Sequence, residues 1–207
     1  MNIIFLGPPG SGKGTQAKLL SEEYKLCNIS TGDILREAIK NKSPFGLKAK
    51  EYMMRGALVS DNVIIEIVKE RISKEDCSNG FIFDGFPRTI EQVKELRDIL
   101  KRNSKKVDFV IYLDVPREEL ARRLSKRTVC SKCGHISLSE ERKCSSCGGA
   151  MVKREDDKPE TVRERIDIYF EKTMPVIEYF EGKKNFIKVD GSRKIEEVTD
   201  DIVRRIK

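Results

Sequence analysis

Ile3-Ile-Phe-Leu-Gly-Pro-Pro-Gly-Ser-Gly-Lys-Gly-Thr15 is the stretch on which the fold turns. Ile3 to Leu6 is a short apolar run ending in glycine and reads as a buried parallel strand. From about Gly12 to Tyr24 the chain reads as a helix, with Ala17, Leu19, Leu20 and Tyr24 facing inward. Between strand and helix, Gly7 to Thr15 has the spacing of a phosphate loop. There Gly10, Ser11, Gly12, Lys13, Gly14 and Thr15 would surround a polyphosphate with backbone N–H groups and one ammonium, at the positive end of a helix. Such a loop binds a nucleoside triphosphate by its phosphates. The general motif places Ser or Thr directly after the lysine as a Mg²⁺ ligand. Gly14 stands there and Thr15 comes one place later, so the metal is expected to be held largely through water and by Asp84.

Outward from this unit the same alternation recurs. Gly80 to Asp84 reads as a second buried strand, followed by a helix from Thr89 to about Lys101. Val107 to Asp114 and Phe186 to Asp190 are further strands, with helices from Pro116 and from about Lys194 to Ile206. Leu26 to Ser30 supplies a short fifth strand. Strands alternating with helices at this spacing predict an α/β fold, a five-stranded parallel sheet flanked by helices. Two stretches interrupt the pattern, and both are too long for plain connections. Residues from about Thr31 to Val59 read as helices broken at Ser43-Pro44 and Gly56. Residues from about Thr128 to Asp157 carry cysteines and glycines with no sustained periodicity. Both are read as inserted subdomains.

The chain has 207 residues and a net charge of +7, with charged residues at 36%. Bases and acids are mixed along its length, which fits a solvated surface with local anion sites better than a basic tail. No apolar run is long enough to span a membrane, and the first residues lack the basic leader of a signal peptide. A cytoplasmic enzyme is expected.

Cys130, Cys133, Cys144 and Cys147 form two C-x2-C pairs with Gly134 and Gly148 just after them. That is the spacing of a tetrahedral zinc site. Four protein ligands leave no open position, so a structural zinc is expected, standing in for a core that about 30 residues cannot build. Two disulfides or a redox pair are the alternatives. His135, the only histidine, reads as a bystander. Cys27 and Cys77 stand apart and read as buried free thiols.

Taken together, the loop, Thr31-Gly-Asp-Ile-Leu-Arg36, Asp84-Gly-Phe-Pro-Arg88-Thr-Ile-Glu-Gln92, and the arginines that flank the cysteine region closely resemble the adenylate kinase family over essentially the whole chain. The Gly-Lys-Gly-Thr form of the loop is typical of nucleoside monophosphate kinases, and a cysteine-bearing lid points to the bacterial type. The resemblance implies a P-loop kinase fold. Residues 1–30, 60–126 and 158–207 would form its core, 31–59 an AMP-binding insertion and 127–157 a zinc-bearing lid. It also implies ATP + AMP ⇌ 2 ADP with Mg²⁺, a monomer, and no nucleic-acid or membrane partner.

By the same resemblance Arg36 and Arg88 hold the AMP phosphate, and Arg123 and Arg127 hold ATP phosphates. Arg154 and Arg165 close over the transferring group and also reach AMP. Lys13, Arg88, Arg123, Arg154 and Arg165 are the catalytic set. Thr31, Gly85, Phe86, Pro87, Gln92 and the segment Ala57, Leu58 and Val59 are the further AMP contacts. Ile136, Ser137 and Arg193 lie at positions that meet the ATP base or ribose. Asp156 and Asp157 match the family near the transfer site. The chemistry suits these residues. The attacking phosphate is already an anion, so the site needs positive forks that bring two polyanions together rather than a general base.

Two residues carry a competing local reading. Thr89-x2-Gln92 is also a capping box, and Asp157-Lys-Pro-Glu160 reads as a helix N-cap. Two other functions compete with the leading one. A UMP or CMP kinase is disfavoured by the long lid. A zinc-ribbon nucleic-acid-binding protein leaves the phosphate loop unexplained and lacks interleaved aromatics for stacking bases.

Overall fold

Apolar side chains alternate along the first strand, and the two faces of the sheet follow from that alternation. In the computed structural model of the chain, which describes residues 1–139 and 141–207, β1 (Asn2–Leu6) is the middle strand of a five-stranded parallel sheet. Glu140, within the expected lid, lies outside the described residues. β2 (Cys27–Ser30), β3 (Phe81–Asp84), β4 (Phe109–Asp114) and β8 (Phe186–Asp190) complete the sheet in the order β2-β3-β1-β4-β8. The expected fifth strand is therefore present, at the edge beside β3. Because β1 is flanked by strands that follow it through separate crossovers, the crevice at its carboxyl end is the usual ligand position in such a sheet.

Ile3 and Phe5 pack with Ala17 and Leu20 of α1 (Lys13–Tyr24) and with Val198, Ile202 and Ile206 of α9 (Ile195–Ile206). Ile4 and Leu6 face the other side. There Ile64, Ile65 and Val68 of α4 (Asp61–Ile72), Val93 and Leu96 of α5 (Ile90–Arg102), and Val176 and Ile177 of α8 (Met174–Phe180) cover the sheet. Burial of each such aliphatic side chain contributes about 1.5–3 kcal/mol. Leu19, expected to face inward, is 37% exposed. It lies between Ala17 and Leu20, which are buried in the core, while Tyr24, as expected, packs against the same core.

The segment expected to be helical between the first two buried strands is so. α2 (Thr31–Lys40) starts at Ser30, whose side chain accepts from Asp33 N. α3 (Pro44–Met54) starts at Ser43, which accepts from Gly46 N, with Pro44 in the first turn. The break read at Ser43-Pro44 is thus a capped helix start. After α6 (Arg117–Lys126), residues without periodicity form a small antiparallel sheet of β5 (Thr128–Cys130), β6 (Ile136–Ser137) and β7 (Met151–Val152), in the order β6-β5-β7. Strands of two or three residues are too short to show a period. α7 (Pro159–Ile168) and a π-helical turn at Tyr169–Thr173 lead into α8.

Cys27 and Cys77 are not free thiols. The structure joins them in a disulfide, with Cα atoms 4.9 Å apart. Parallel pairing places Cys27 opposite Phe81 at the start of β3, and Cys77 lies in the 3-10 turn that enters β3. A sequence separation of 50 hid this proximity. Among the described residues, no helix is long and apolar enough to cross a membrane.

Candidate active site

The loop after β1 is shaped by Gly12, whose φ of 95° is in the left-handed region, and which precedes the first turn of α1. The N–H groups of that turn have no carbonyl partners within the helix and point toward the loop. Lys13 Nζ folds back to donate to Gly7 O at 2.6 Å and Pro8 O at 2.8 Å. Burial lowers its pKa to about 7 against the opposing pull of Asp84, and Arg88, Arg165 and Arg127 lower it further. The charges of three arginines therefore bear on the loop lysine. Asp84 ends β3 opposite Phe5 of β1, beside the loop. A Cβ on Gly14 would lie 3.1 Å from Asp84 Oδ2. The glycine in place of the expected hydroxyl thus gives the carboxylate room, and Asp84 faces the position from which that hydroxyl would have reached a metal.

Beyond the carboxyl ends of β2 and β3 lies a partly open cleft. Thr31, Arg36, Ala57, Leu58, Val59, Gly85, Arg88, Gln92 and Arg165 all line it. Residues from α2, the turn after α3, the loop after β3 and α7 are so brought to one place. Arg88 is fixed by Nε donating to Gly85 O at 2.8 Å, while its carbonyl accepts from Thr173 Oγ1 at 3.0 Å. Burial and the neighbouring Arg165 lower its pKa to about 10, which leaves it charged at neutral pH. Arg36 NH2 donates to Asp33 Oδ1 at 2.5 Å. The Phe86 ring is fully buried against Phe83, with centroids 5.3 Å apart, so only its backbone is left to meet a ligand.

Arg127 and Arg165 converge on Asp157, which is the ion-pair centre and not the predicted helix cap. Arg127 donates to both of its carboxylate oxygens, at 2.5 and 2.8 Å, and Arg165 NH1 to Oδ1 at 3.0 Å. The cap position of α7 is Lys158, without a side-chain capping bond. With its side chain 2% exposed, Asp157 offsets two guanidiniums, which outweighs the roughly 1 kcal/mol of a cap. Asp156 lies 3.1 Å from Arg165 and 3.8 Å from Arg36. Burial would raise its pKa, yet Arg165, Arg36 and Arg154 hold the carboxyl below the usual range. Arg154 Nε is buried and has no hydrogen-bond partner among the described residues, and burial with Arg36 nearby lowers that side chain to about 10.

Arg123 donates to Glu119 Oε1 at 2.7 Å, Gly191 O at 2.8 Å and Ser192 O at 3.1 Å. It is held where the loop after β8 approaches α6. Arg193 NH2 donates to Asp201 at 2.6 Å. Ile136 and Ser137 pair with Val129 and Thr128 in the small sheet. Among the described residues, no hydrogen bond joins that pair to the phosphate loop, so the structure does not bring them together with it.

The four lid sulfurs lie within 4.8 Å of one another, with Cys130–Cys147 at 3.5 Å and Cys133–Cys144 at 3.6 Å. Zn–S bonds of about 2.3 Å in a tetrahedron put sulfurs about 3.8 Å apart, so the cluster is compatible with zinc. Gly134 N donates to Cys130 O and Gly148 N to Cys144 O, closing a tight turn over each pair. Backbone N–H groups of Cys133 and Lys132 pull the Cys130 thiol down to about 6, toward the thiolate a metal needs. His135 is not part of the cluster.

Sequence reasoning passed over Asp61 and Glu119, which hold Gln92 and Arg123. A helix-start pattern at Ser60-Asp61 was the available signal for the first. Glu119 lies four residues before Arg123 on one helix, a spacing that pairs charges and was the signal for the second.

A phosphate loop that opens beside a second, arginine-lined cleft on a parallel sheet defines a P-loop kinase of the nucleoside monophosphate class. The family model described as Adenylate kinase matches residues 5–185. A protein of Clostridium tetani named Adenylate kinase is 49% identical over 98% of this chain and 96% of its own. One of Archaeoglobus fulgidus with the same name is 50% identical, with the same coverage, and one of Methanocella arvoryzae is 48% identical over 100% and 99%. The chain belongs to the adenylate kinase family.

Proposed function

We propose that this chain transfers a phosphoryl group reversibly from Mg-ATP to AMP, giving two ADP. The observation that carries this is the sharing of one cationic cluster by two sites. Lys13 belongs to the phosphate loop, Arg88 and Arg165 line the neighbouring cleft, and all three lie in one electrostatic neighbourhood. Two polyanions bound there meet with their phosphates toward each other. In this reading Lys13 leaves its loop carbonyls for the donor phosphates. Arg123 and Arg127 hold the donor, with Arg193, Ile136 and Ser137 toward its base and ribose. Arg36 and Arg88 orient the acceptor phosphate, and Arg154 and Arg165 spread the charge of the moving group. The acceptor needs no base, since its phosphate is already ionised.

Thr31, Gln92 and the backbone of residues 57–59 and 85–87 would receive adenine and ribose. Asp84 would hold Mg²⁺ through water, where its freedom from a side chain at position 14 fits that task. Held there, Mg²⁺ would supply neutralisation of the phosphate charge. A structural zinc on Cys130, Cys133, Cys144 and Cys147 would hold residues 127–157 as a lid, with 31–59 as the acceptor-binding insertion. A monomer in the cytoplasm completes the reading.

An assay of ADP formation with Mg-ATP and AMP, CMP or UMP in turn tests it. AMP is expected to be the preferred acceptor by a wide margin; turnover with CMP or UMP but not AMP would refute the assignment.

A further inference from the structure

Gln92 is 2% exposed, and both ends of its carboxamide are occupied. Nε2 donates to Asp61 Oδ1 at 2.7 Å, and Oε1 accepts from Arg88 N at 2.7 Å. A carboxylate can only accept and a backbone N–H can only donate, so these partners fix which end of the amide is nitrogen. Asp61 is itself held. Its Oδ2 accepts from Thr89 Oγ1 at 2.9 Å, and that hydroxyl also accepts from Gln92 N at 3.2 Å. Asp61 opens α4 and is not among the residues lining the cleft, so it reaches a ligand only through Gln92.

After these bonds the carboxamide retains one N–H and one oxygen lone pair in a set order, and Gln92 is among the residues that line the cleft. A 6-aminopurine presents a ring nitrogen that accepts beside an amine that donates. A 6-oxopurine presents the reverse. A freely turning amide could serve either base. We propose that Asp61 is a positioning residue for base selection: by holding the Gln92 carboxamide in one orientation, it makes the cleft read a 6-aminopurine and reject a 6-oxopurine. This rests on the reading of Gln92 as a base contact.

The test is a double-mutant cycle with Asp61→Ala, Gln92→Leu and the pair, measuring KM and kcat for AMP and for inosine monophosphate. A lost hydrogen bond to a charged partner predicts a rise in KM for AMP of roughly tenfold for Asp61→Ala, with kcat changing less than about twofold. The preference for AMP over inosine monophosphate should narrow by a similar factor. In the Gln92→Leu background the Asp61 substitution should add nothing further. Asp61→Asn, which keeps one acceptor for Nε2, should stay close to the parent. Asp61→Ser suits a helix start and is too short to reach the amide, so it replaces Asp61→Ala if that variant does not fold. An equal rise in KM with and without the Gln92 side chain would make Asp61 a support of the fold and overturn the proposal. So would an Asp61→Ala enzyme with unchanged AMP kinetics beside an impaired Gln92→Leu. If Gln92→Leu alone left the AMP KM untouched, the base-contact reading would fall first, and this inference with it.

Discussion

Gly14 and Asp84 are matched: any side chain at position 14 would start 3.1 Å from the carboxylate oxygen Oδ2. Gly14→Ser would restore the hydroxyl of the general motif and at the same time crowd Asp84. We expect a fall in kcat on the order of tenfold or more, since small displacements at a transfer site are costly. The Mg²⁺ concentration needed for half-maximal rate should rise, while the melting temperature changes little. A serine variant with parent activity and Mg²⁺ dependence would separate Gly14 from the metal.

Arg88 is buried, charged and held by Gly85 O, so its fork is aimed before any ligand arrives. Arg88→Ala should lower kcat/KM by about 10²–10³-fold, as loss of a preorganised charge does. Arg88→Lys should recover little of this, because an ammonium lacks the planar fork. Steady-state kinetics with folded protein checks both.

Asp157 offsets Arg127 and Arg165 at a site almost without solvent. Asp157→Ala leaves both guanidiniums without that partner and should destabilise the fold by about 3–5 kcal/mol. Urea unfolding reads this directly. A loss below about 1 kcal/mol would mean that the pair contributes as little as an exposed one.

Hydrogen bonds from Arg122 and Arg123 hold the Glu119 carboxyl down at about 2, against an ordinary 4.5. A depressed folded pKa means that the stabilisation is complete above about pH 4.5 and lost as pH falls toward about 2. Glu119→Gln should therefore unfold with a shallower dependence on pH across that window. Parallel acid-unfolding curves for parent and variant would contradict the assignment.

The four lid cysteines predict one zinc per chain by elemental analysis. A strong chelator, or Cys144→Ser, should lower the melting temperature and expose residues 127–157 to protease, because a small metal site couples binding to folding. Metal-free protein with an intact, protease-resistant lid would refute it.

How much of this was legible depended on how local the cause was. The strand, loop and helix around Lys13 could be read because glycine spacing and apolar period act over neighbouring residues. The C-x2-C pairs could be read for the same reason, yet the sheet they organise could not, since strands as short as Ile136–Ser137 carry no period. Asp157 looked like a cap from its neighbours and proved to be an ion-pair centre because Arg127 arrives from thirty residues away. The Cys27–Cys77 bond and the Asp61–Gln92 contact are likewise set by strand order and helix packing, which a single sequence does not display. The cleft residues were found through a family resemblance; their convergence on one cavity is a property of the fold.

The central claim is that the chain moves a phosphoryl group from one nucleotide to another and does not merely bind or hydrolyse one. Phosphorus NMR of purified protein with Mg-ATP, before and after addition of AMP, tests it most directly. The account predicts almost no change before addition, then formation of two ADP for each ATP consumed, with no free phosphate. Steady release of inorganic phosphate from ATP, indifferent to AMP, would contradict it.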